Sequence, residues 1–515
     1  MESVKWCRVL TTFSTLSGGL ISRRCCIRPH PTSIKNRCAH LRCILSFGTV
    51  RVSGLMFLGD GYVVTRHGTV NEQGQAMETV IKTTGYLLRI WILWLAAIPA
   101  LQAAEEPRQW SETHLDELLA FYREFHSQPE LSFREVNTAA RLAAAWQDCG
   151  VEVTRGVGGY GIVGILENGV GPVVMLRADT DALPVTEQTG LPFASTVKTL
   201  NEGGAEVGVM HACGHDVHMT NLVGVACYLA ASKSLWKGTL MLLGQPAEER
   251  GAGARAMLDD GLFERFPKPD FGVALHVSPV MATGRIGYRP GYFMANVDSV
   301  DITLHGKGGH GAYPHATIDP VLQAAQLVLA LQTIVSREIN PIDPAVVTVG
   351  SIHGGTKHNI IADTARLQLT VRSFSDKVRQ QLLAAIERKA RAVASGAGAP
   401  EPDVVVDKGT PSLFNDPALA ARLGPVFEDL LGKEHIEVSQ QSMGGEDFSQ
   451  YGRAGIPTLM YWLGGVSQER LDAYAAAGER PPSLHSPLFY PDVEATLVTG
   501  VSTMASTVLE LLKPE

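Results

Sequence analysis

The chain has 515 residues, 45% of them hydrophobic, and a formal net charge of -8. That much apolar content can bury the cores of two or three domains, and it excludes a disordered polymer. The acidic balance argues against a general nucleic-acid binder, which needs a basic face, and leaves small molecules or peptides as ligands.

The amino-terminal region reads unlike the rest. Up to Gly59 there is one acid, Glu2, and no sustained apolar period, so residues 1–76 are expected to form an unstructured leader, consistent with a start site assigned too early. From Met77 the pattern becomes "METVIKTTGYLLRIWILWLAAIPALQAAEE". Lys82 and Arg89 precede an apolar run over residues 90–101, and the small residues Ala103 and Ala104 follow, which is the order of a secretory signal peptide. The run is short for a bilayer span and acidic residues come at once after it. The expectation is a signal over residues 77–104, export to a bacterial periplasm, and a mature chain without a membrane span. Of eight cysteines, Cys7, Cys25, Cys26, Cys38 and Cys43 precede any recognisable domain; only Cys149, Cys213 and Cys227 lie in the globular part, which is no disulfide scaffold.

After Trp110, amphipathic helices are expected to about Phe125 and over 136–148, broken by "SQPELS". Strand-like "GIVGILENG" follows, then "PVVMLRADTDALP", an apolar run ending in polar residues, as in a buried parallel strand that displays working groups at its carboxyl end. "GTLMLLGQPAEERG" and "DFGVALHVSP" repeat that design, so three strands deliver chemistry to one edge of one sheet in an α/β domain. Between residues 294 and 410 a strand, helix, strand, strand, helix, strand order appears, the ferredoxin-like pattern. It reads as a smaller α+β domain inserted between two parts of the first, 105–293 and 411–515. The second part resumes with "IPTLMYWLGG" and ends in an apolar helix over 493–512.

The chemistry-bearing residues gather at the strand ends. In "HACGHDVH", Cys213 and His215 are two apart, an incomplete metal turn, because a catalytic zinc site takes three protein ligands and a structural one four. A redox role lacks the second cysteine of a Cys-x-x-Cys pair. Glu248 and Glu249 follow a strand directly, where neighbours point in different directions, so one carboxylate could hold a metal while the other faces the water; a solvated acidic turn is the bland alternative. His276 caps an apolar strand, and His485 sits in a Pro-rich loop. Asp179 and Asp181 could orient a ligating imidazole or cap a turn. Imidazole, thiolate and carboxylate together suit zinc, manganese, nickel or cobalt. In the inserted domain, His310 on the glycine-rich "HGKGGHGAYPH", Asn359 and Arg372 could bind an oxyanion and a carboxylate.

In order, "HSQPELSFRE", "RADTDALP", "HACGHDVH", "QPAEERGAGA", "ALHVSP", "GGHGAYPH", "MGGEDFSQY" and "HSPLF" make the chain from about Leu115 to Leu512 resemble the metallo-amidohydrolase, aminoacylase and carboxypeptidase family, closest to its hippurate and auxin-conjugate hydrolase branch. The resemblance implies a zinc-peptidase-like α/β catalytic domain with helices on both faces of a mixed sheet. It implies two divalent metals held by Cys213, His215, Glu249, His276 and His485, with the Cys213 thiolate bridging, and Glu248 as general base. It further implies that the inserted domain is a lid and dimerisation module in a homodimer or higher homo-oligomer, with His310 reaching the oxyanion, often across the dimer, and with Asn359 and Arg372 holding a substrate carboxylate. "NIIAD" departs from the branch at Ala362, usually proline, which puts only a local turn in doubt. The expected reaction is hydrolysis of the amide of an N-acyl or N-aroyl amino acid or short peptide. The rival from another class is a non-catalytic periplasmic protein that captures peptides or conjugates; an inactive relative would be expected to lack Glu248 or a ligand, and none is missing. A serine hydrolase lacks its G-x-S-x-G elbow.

Overall fold

The computed structural model describes residues 105–514 throughout and, before them, four strands. Residues 1–103 and 104–515 make two separate compact units. In the first, β1 (Arg42–Ser46), β2 (Thr49–Leu58), β3 (Tyr62–Val70) and β4 (Ala76–Ile81) pair antiparallel in chain order. This meander differs from the leader without elements expected over residues 1–76. The alternation there is broken, which hides it, but runs rich in β-branched residues are separated by turn-prone "GDG" and "NEQGQ". The expected signal segment overlaps β4 at its start, and its remainder, residues 82–104, lies outside the described residues.

The second unit opens with helices α1 (Pro107–Thr113), α2 (Leu115–Ser127) and α3 (Val136–Asp148). Its main sheet contains β5 (Glu152–Val157), β6 (Gly161–Asn168), β7 (Val173–Asp179), β10 (Gly238–Gln245), β11 (Phe271–Ala282), β12 (Ile286–Tyr288), β21 (Ile436–Val438) and β22 (Thr458–Val466), in the spatial order β21-β12-β22-β11-β7-β10-β6-β5. A small hairpin, β8 (Lys198–Leu200) with β9 (Glu206–Gly208), and the pair β13 (Gly291–Met294) with β20 (Leu413–Asn415) lie outside it. The central strands β10, β7, β11 and β22 run parallel, and the sheet turns antiparallel at β6, β5 and β12.

Burial on both faces explains the apolar runs. On one face α2, α3, α4 (His215–Ala231) and α12 (Val493–Leu511) pack around Tyr122, Trp146, Tyr228, Leu242 and Val501. On the other, α5 (Gly253–Asp259) and α10 (Ser449–Arg453) pack around Met175, Met241, Met460 and Tyr451; α6 (Leu262–Arg265) follows α5 on that side. Helix α4 is buried nearly all round, as a helix that is apolar on every side must be.

The inserted segment runs β14 (Asn296–His305), the short β15 (Gly309–His310), α7 (Pro320–Arg337), β16 (Ala345–Gly354), the short β17 (Ile360–Ile361), β18 (Thr364–Ser373), α8 (Asp376–Gly396) and β19 (Asp403–Lys408). Its sheet order β16-β18-β14-β19, antiparallel throughout, is the ferredoxin-like arrangement read from the sequence. The two helices cover one face through Leu327, Leu331, Leu382 and Ile386. Local signals start each helix: the Asp319 carboxylate caps Val321 and Leu322 with proline in the first turn, and the Ser375 hydroxyl caps Val378. The chain returns through α9 (Pro417–Leu431) and α11 (Gln468–Ala477). Among the described residues no helix is long and apolar enough to cross a membrane.

Candidate metal centre

Three neighbouring strands end at one place. β7 closes on Asp179, β10 feeds the turn that carries Glu248 and Glu249, and β11, which runs on past the end of β7, carries His276. The donors from "HACGHDVH" enter at the start of α4. Gly214 turns the chain there with φ 82°, and a Cβ on it would meet the Val277 side chain at 2.3 Å. Only glycine allows both the left-handed turn and that approach, so Cys213 and His215 flank a residue that cannot be exchanged.

The structure brings six of the sequence-derived residues together. Cys213 Sγ lies 3.4 Å from His276 Nε2. His215 Nε2 lies 3.9 Å from Glu249 Oε1 and 4.0 Å from Glu248 Oε2. Glu249 Oε1 also lies 3.4 Å from His485 Nε2. Donor atoms of Cys213, His215 and His276, of Cys213, Glu249 and His485, and of His215, Glu248 and Glu249 each fall within 4.8 Å of one another. All except the exposed His485 are buried or nearly so.

Hydrogen bonds prepare the imidazoles to bind a cation. His215 Nδ1 donates to the Asp181 carbonyl at 2.8 Å and His276 Nδ1 donates to the Val277 carbonyl at 2.8 Å, so in both rings Nε2 presents its lone pair to the cluster. His215 Nε2 and Glu249 Oε1 are buried without any hydrogen-bond partner, an arrangement that is costly unless a cation takes both. The donor set therefore fits a borderline divalent metal. His218 is different, because Val277 N–H donates to its Nε2 at 2.9 Å while its Nδ1 donates to Asp179 at 2.6 Å. Both nitrogens are spent and the ring is a strut. His211 is buried with both ring nitrogens unpartnered, and burial pushes it down to about 4.

The protonation pattern has the same cause. Burial, reinforced by the charges of Glu249 and Glu248, pushes the Cys213 thiol well up, and burial with Glu446 and Glu249 does the same to Glu248. Against burial, Asp179 and Asp181 raise His215 to about 10. Protons thus occupy a place where a cation would neutralise the donors.

Asp181 organises the turn. Its Oδ1 accepts from Glu248 N and its Oδ2 from Glu249 N, each at 3.1 Å, and Ser132 Oγ donates to Oδ2 at 2.6 Å. Asp179 braces His218 and accepts from Arg177 at 2.7 Å.

Several participants escaped sequence reading. Arg177, fully buried, also donates to Glu446 at 2.9 Å and to Asp447 at 3.0 Å, and the last two lie close enough to Glu248 to share an ion or a proton with it. Burial raises Glu446 to about 7 and Asp447 to about 6 against the pull of Arg177. An arginine inside an apolar strand was the available signal, since it demands buried acids. His126 bridges Asp216 at 2.7 Å and Glu187 at 3.0 Å, a buried ion-pair chain behind the metal turn. Cys149 and Cys227 form a disulfide that joins the end of α3 to α4; nothing in their spacing pointed to it.

Three residues of the inserted domain make no hydrogen bond or ion pair with the cluster. His310 is exposed on β15, paired with Ile360 on β17, and the Asn359 carbonyl accepts from Gly311 N at 2.8 Å, so the two share one short arm. Arg372, at the end of β18, donates to the Met443 carbonyl at 2.6 Å, where the inserted sheet meets the second catalytic segment.

Residues 175–509 match the model of peptidase family M20/M25/M40. An N-acetylcysteine deacetylase of Bacillus subtilis is 36% identical over 414 residues, 77% of this chain and 98% of that protein. Thermostable carboxypeptidase 1 of Saccharolobus solfataricus is 35% identical over 359 residues, 69% of this chain and 87% of that protein. Among solved structures, a dinuclear metal-binding M20 peptidase of Bacillus subtilis superposes with TM-score 0.64 at 31% identity, covering 78% of this chain and 99% of that one. The chain belongs to the M20/M25/M40 peptidase family, a hydrolase on a metallopeptidase fold.

Proposed function

We propose that the protein hydrolyses the amide of N-acyl or N-aroyl amino acids or short peptides at a centre of two divalent ions held by Cys213, His215, Glu249, His276 and His485. The observation that carries this reading is the gathering of the Cys213, His215, Glu249, His276 and His485 donor atoms around the turn that follows β10, with Glu248 beside them. The unpartnered Glu249 oxygen lies near His215 and His485, while Glu248, 4.0 Å from His215, also stands beside Glu446 and Asp447. Relatives named as a deacetylase and a carboxypeptidase support an amide substrate.

When bound, the ions supply Lewis acidity and lower the pKa of a water from ~15.7 towards ~7. Glu248 takes the proton of the attacking water and returns it to the leaving amine. Asp181 fixes the Glu248-Glu249 turn and the tautomer of His215, and Asp179 with Arg177 braces its floor. His310 donates to the developing oxyanion, and Asn359 and Arg372 hold the substrate carboxylate. Because His310 is exposed and makes no contact with the cluster residues, that role calls for lid closure or the second subunit of a homodimer.

We also propose that the mature protein is periplasmic. The signal pattern at 77–104 and the Cys149–Cys227 disulfide support export, since disulfides persist in oxidising compartments.

Metal analysis of the purified chain, followed by a screen of N-acetyl, N-benzoyl and N-indolylacyl amino acids, tests the proposal. Bound metal with hydrolysis of one class supports it; metal-loaded protein that cleaves none favours a binding protein.

A further inference from the structure

Among the described residues three non-glycine positions hold left-handed backbone: Phe133 (φ 59°), Ala247 (φ 52°) and His485 (φ 68°). All three belong to the same centre. His485 is a candidate ligand, Ala247 precedes Glu248, and Phe133 follows Ser132, which hydrogen-bonds Asp181. Such backbone is strained for a residue with a Cβ and persists only where its surroundings impose it.

At Ala247 the imposing contacts are present. Its N–H donates to Glu135 Oε1 at 2.8 Å, and the next two amides donate to the two oxygens of Asp181. Its carbonyl accepts from Ala252 N at 3.3 Å and Gly253 N at 3.2 Å. Three successive N–H groups therefore meet two buried carboxylates.

Glu135 does not serve its own helix. It stands at the N-cap of α3, where a side chain ordinarily caps its own helix, yet it makes no such bond. It is fully buried, and its Oε2 has no partner. A carboxyl kept buried at that cost, whose hydrogen bond beyond its own segment goes to the strained residue before the base, is placed for the turn and not for its helix.

We propose that Glu135 is a positioning residue for the general base: by accepting the Ala247 N–H it holds Ala247 left-handed and aims Glu248 into the centre. It acts through Ala247. The proposal rests on Glu248 being the base.

The test compares Glu135→Ala, Glu135→Gln and the double variant Glu135→Ala, Ala247→Gly, all loaded with the metal the wild-type protein binds. Glu135→Ala is expected to lower kcat on the order of a hundredfold, the usual cost of a misplacement near 1 Å, with KM and metal content little changed. Glu135→Gln, which keeps an acceptor oxygen, restores most of the activity. Ala247→Gly recovers part of it in the alanine background, because glycine adopts left-handed backbone without strain. Should Glu135→Ala not fold, Glu135→Asp withdraws the acceptor by one methylene and carries the same expectation. A crystal structure of the variant is expected to show Ala247 out of the left-handed region and the Glu248 carboxylate displaced. Unchanged kcat overturns the proposal, and so does activity lost in step with metal content in both single variants, or Ala247 still left-handed in the variant. If the wild-type protein cleaves no amide, the functional reading fails by itself while the backbone of the variant still decides the role of Glu135.

Discussion

Cys213 Sγ and His276 Nε2 face each other at 3.4 Å, and the His276 ring has already committed its other nitrogen to the Val277 carbonyl. A thiol proton can bridge the two, and a divalent cation in its place would be taken by both donors. Cys213→Ser replaces a soft thiolate by a hydroxyl that binds borderline metals poorly. Metal per chain, measured by elemental mass spectrometry after dialysis, is expected to fall. Unchanged stoichiometry would count against thiolate ligation.

Glu248 stands beside the donor cluster, largely buried and next to Glu446 and Asp447. Glu248→Gln keeps its size and hydrogen-bonding reach but cannot take a proton. Turnover should drop by about 10²–10⁴-fold, the range for general acid-base groups, with the metal complement intact. Full activity in this variant removes Glu248 from the chemistry.

His126 sits buried between the Asp216 and Glu187 carboxylates. Burial lowers its proton affinity, but the two hydrogen-bonded acids outweigh it and raise His126 to about 9 from 6.5. A group raised in the folded state lends stability that is fully present below pH 6.5 and is lost as pH climbs through 9. The wild-type protein is expected to lose about 3 kcal/mol from this source over that window, at 1.36 kcal/mol per unit. Urea midpoints at pH 6, 7.5 and 9 should show the decline, and His126→Gln should flatten it. A wild-type profile level across the window would mean the ring is neutral.

The Cys149–Cys227 bridge closes a loop across 78 residues of chain. Reduction, or Cys149→Ser, should cost about 2–5 kcal/mol, the common range for a native disulfide. Thiol titration of the denatured, unreduced mature protein should find Cys213 free and the other two blocked. Three free thiols would contradict the bridge and weaken the case for export.

What the sequence made legible was periodic or clustered. The run before Asp179, the helix over 319–337 and the inserted βαββαβ order all announced themselves by spacing, because burial on two faces or on one stripe leaves a period. The donors were legible because Cys213, Glu249 and His276 each follow or cap such a run. Contacts whose partners lie far apart in the chain were not. Glu446 and Asp447 resemble Glu248 and Glu249 as a pair, but they follow a coil, and only Arg177, coming from another strand, gives them a purpose. Glu135 carries no period or cluster of its own, and its partner Ala247 lies 112 residues away. The strands β1 to β4 were missed because broken alternation carries no period to read.

The candidate donors run from residue 213 to residue 485, and the last of them stands on a loop fixed late in the chain, its N–H bonded to the Ala212 carbonyl. A partly synthesised or partly threaded chain cannot offer the full set. The full five-donor set therefore closes only when the late loop docks, while the Cys213, His215 and His276 group is complete well before it in the chain.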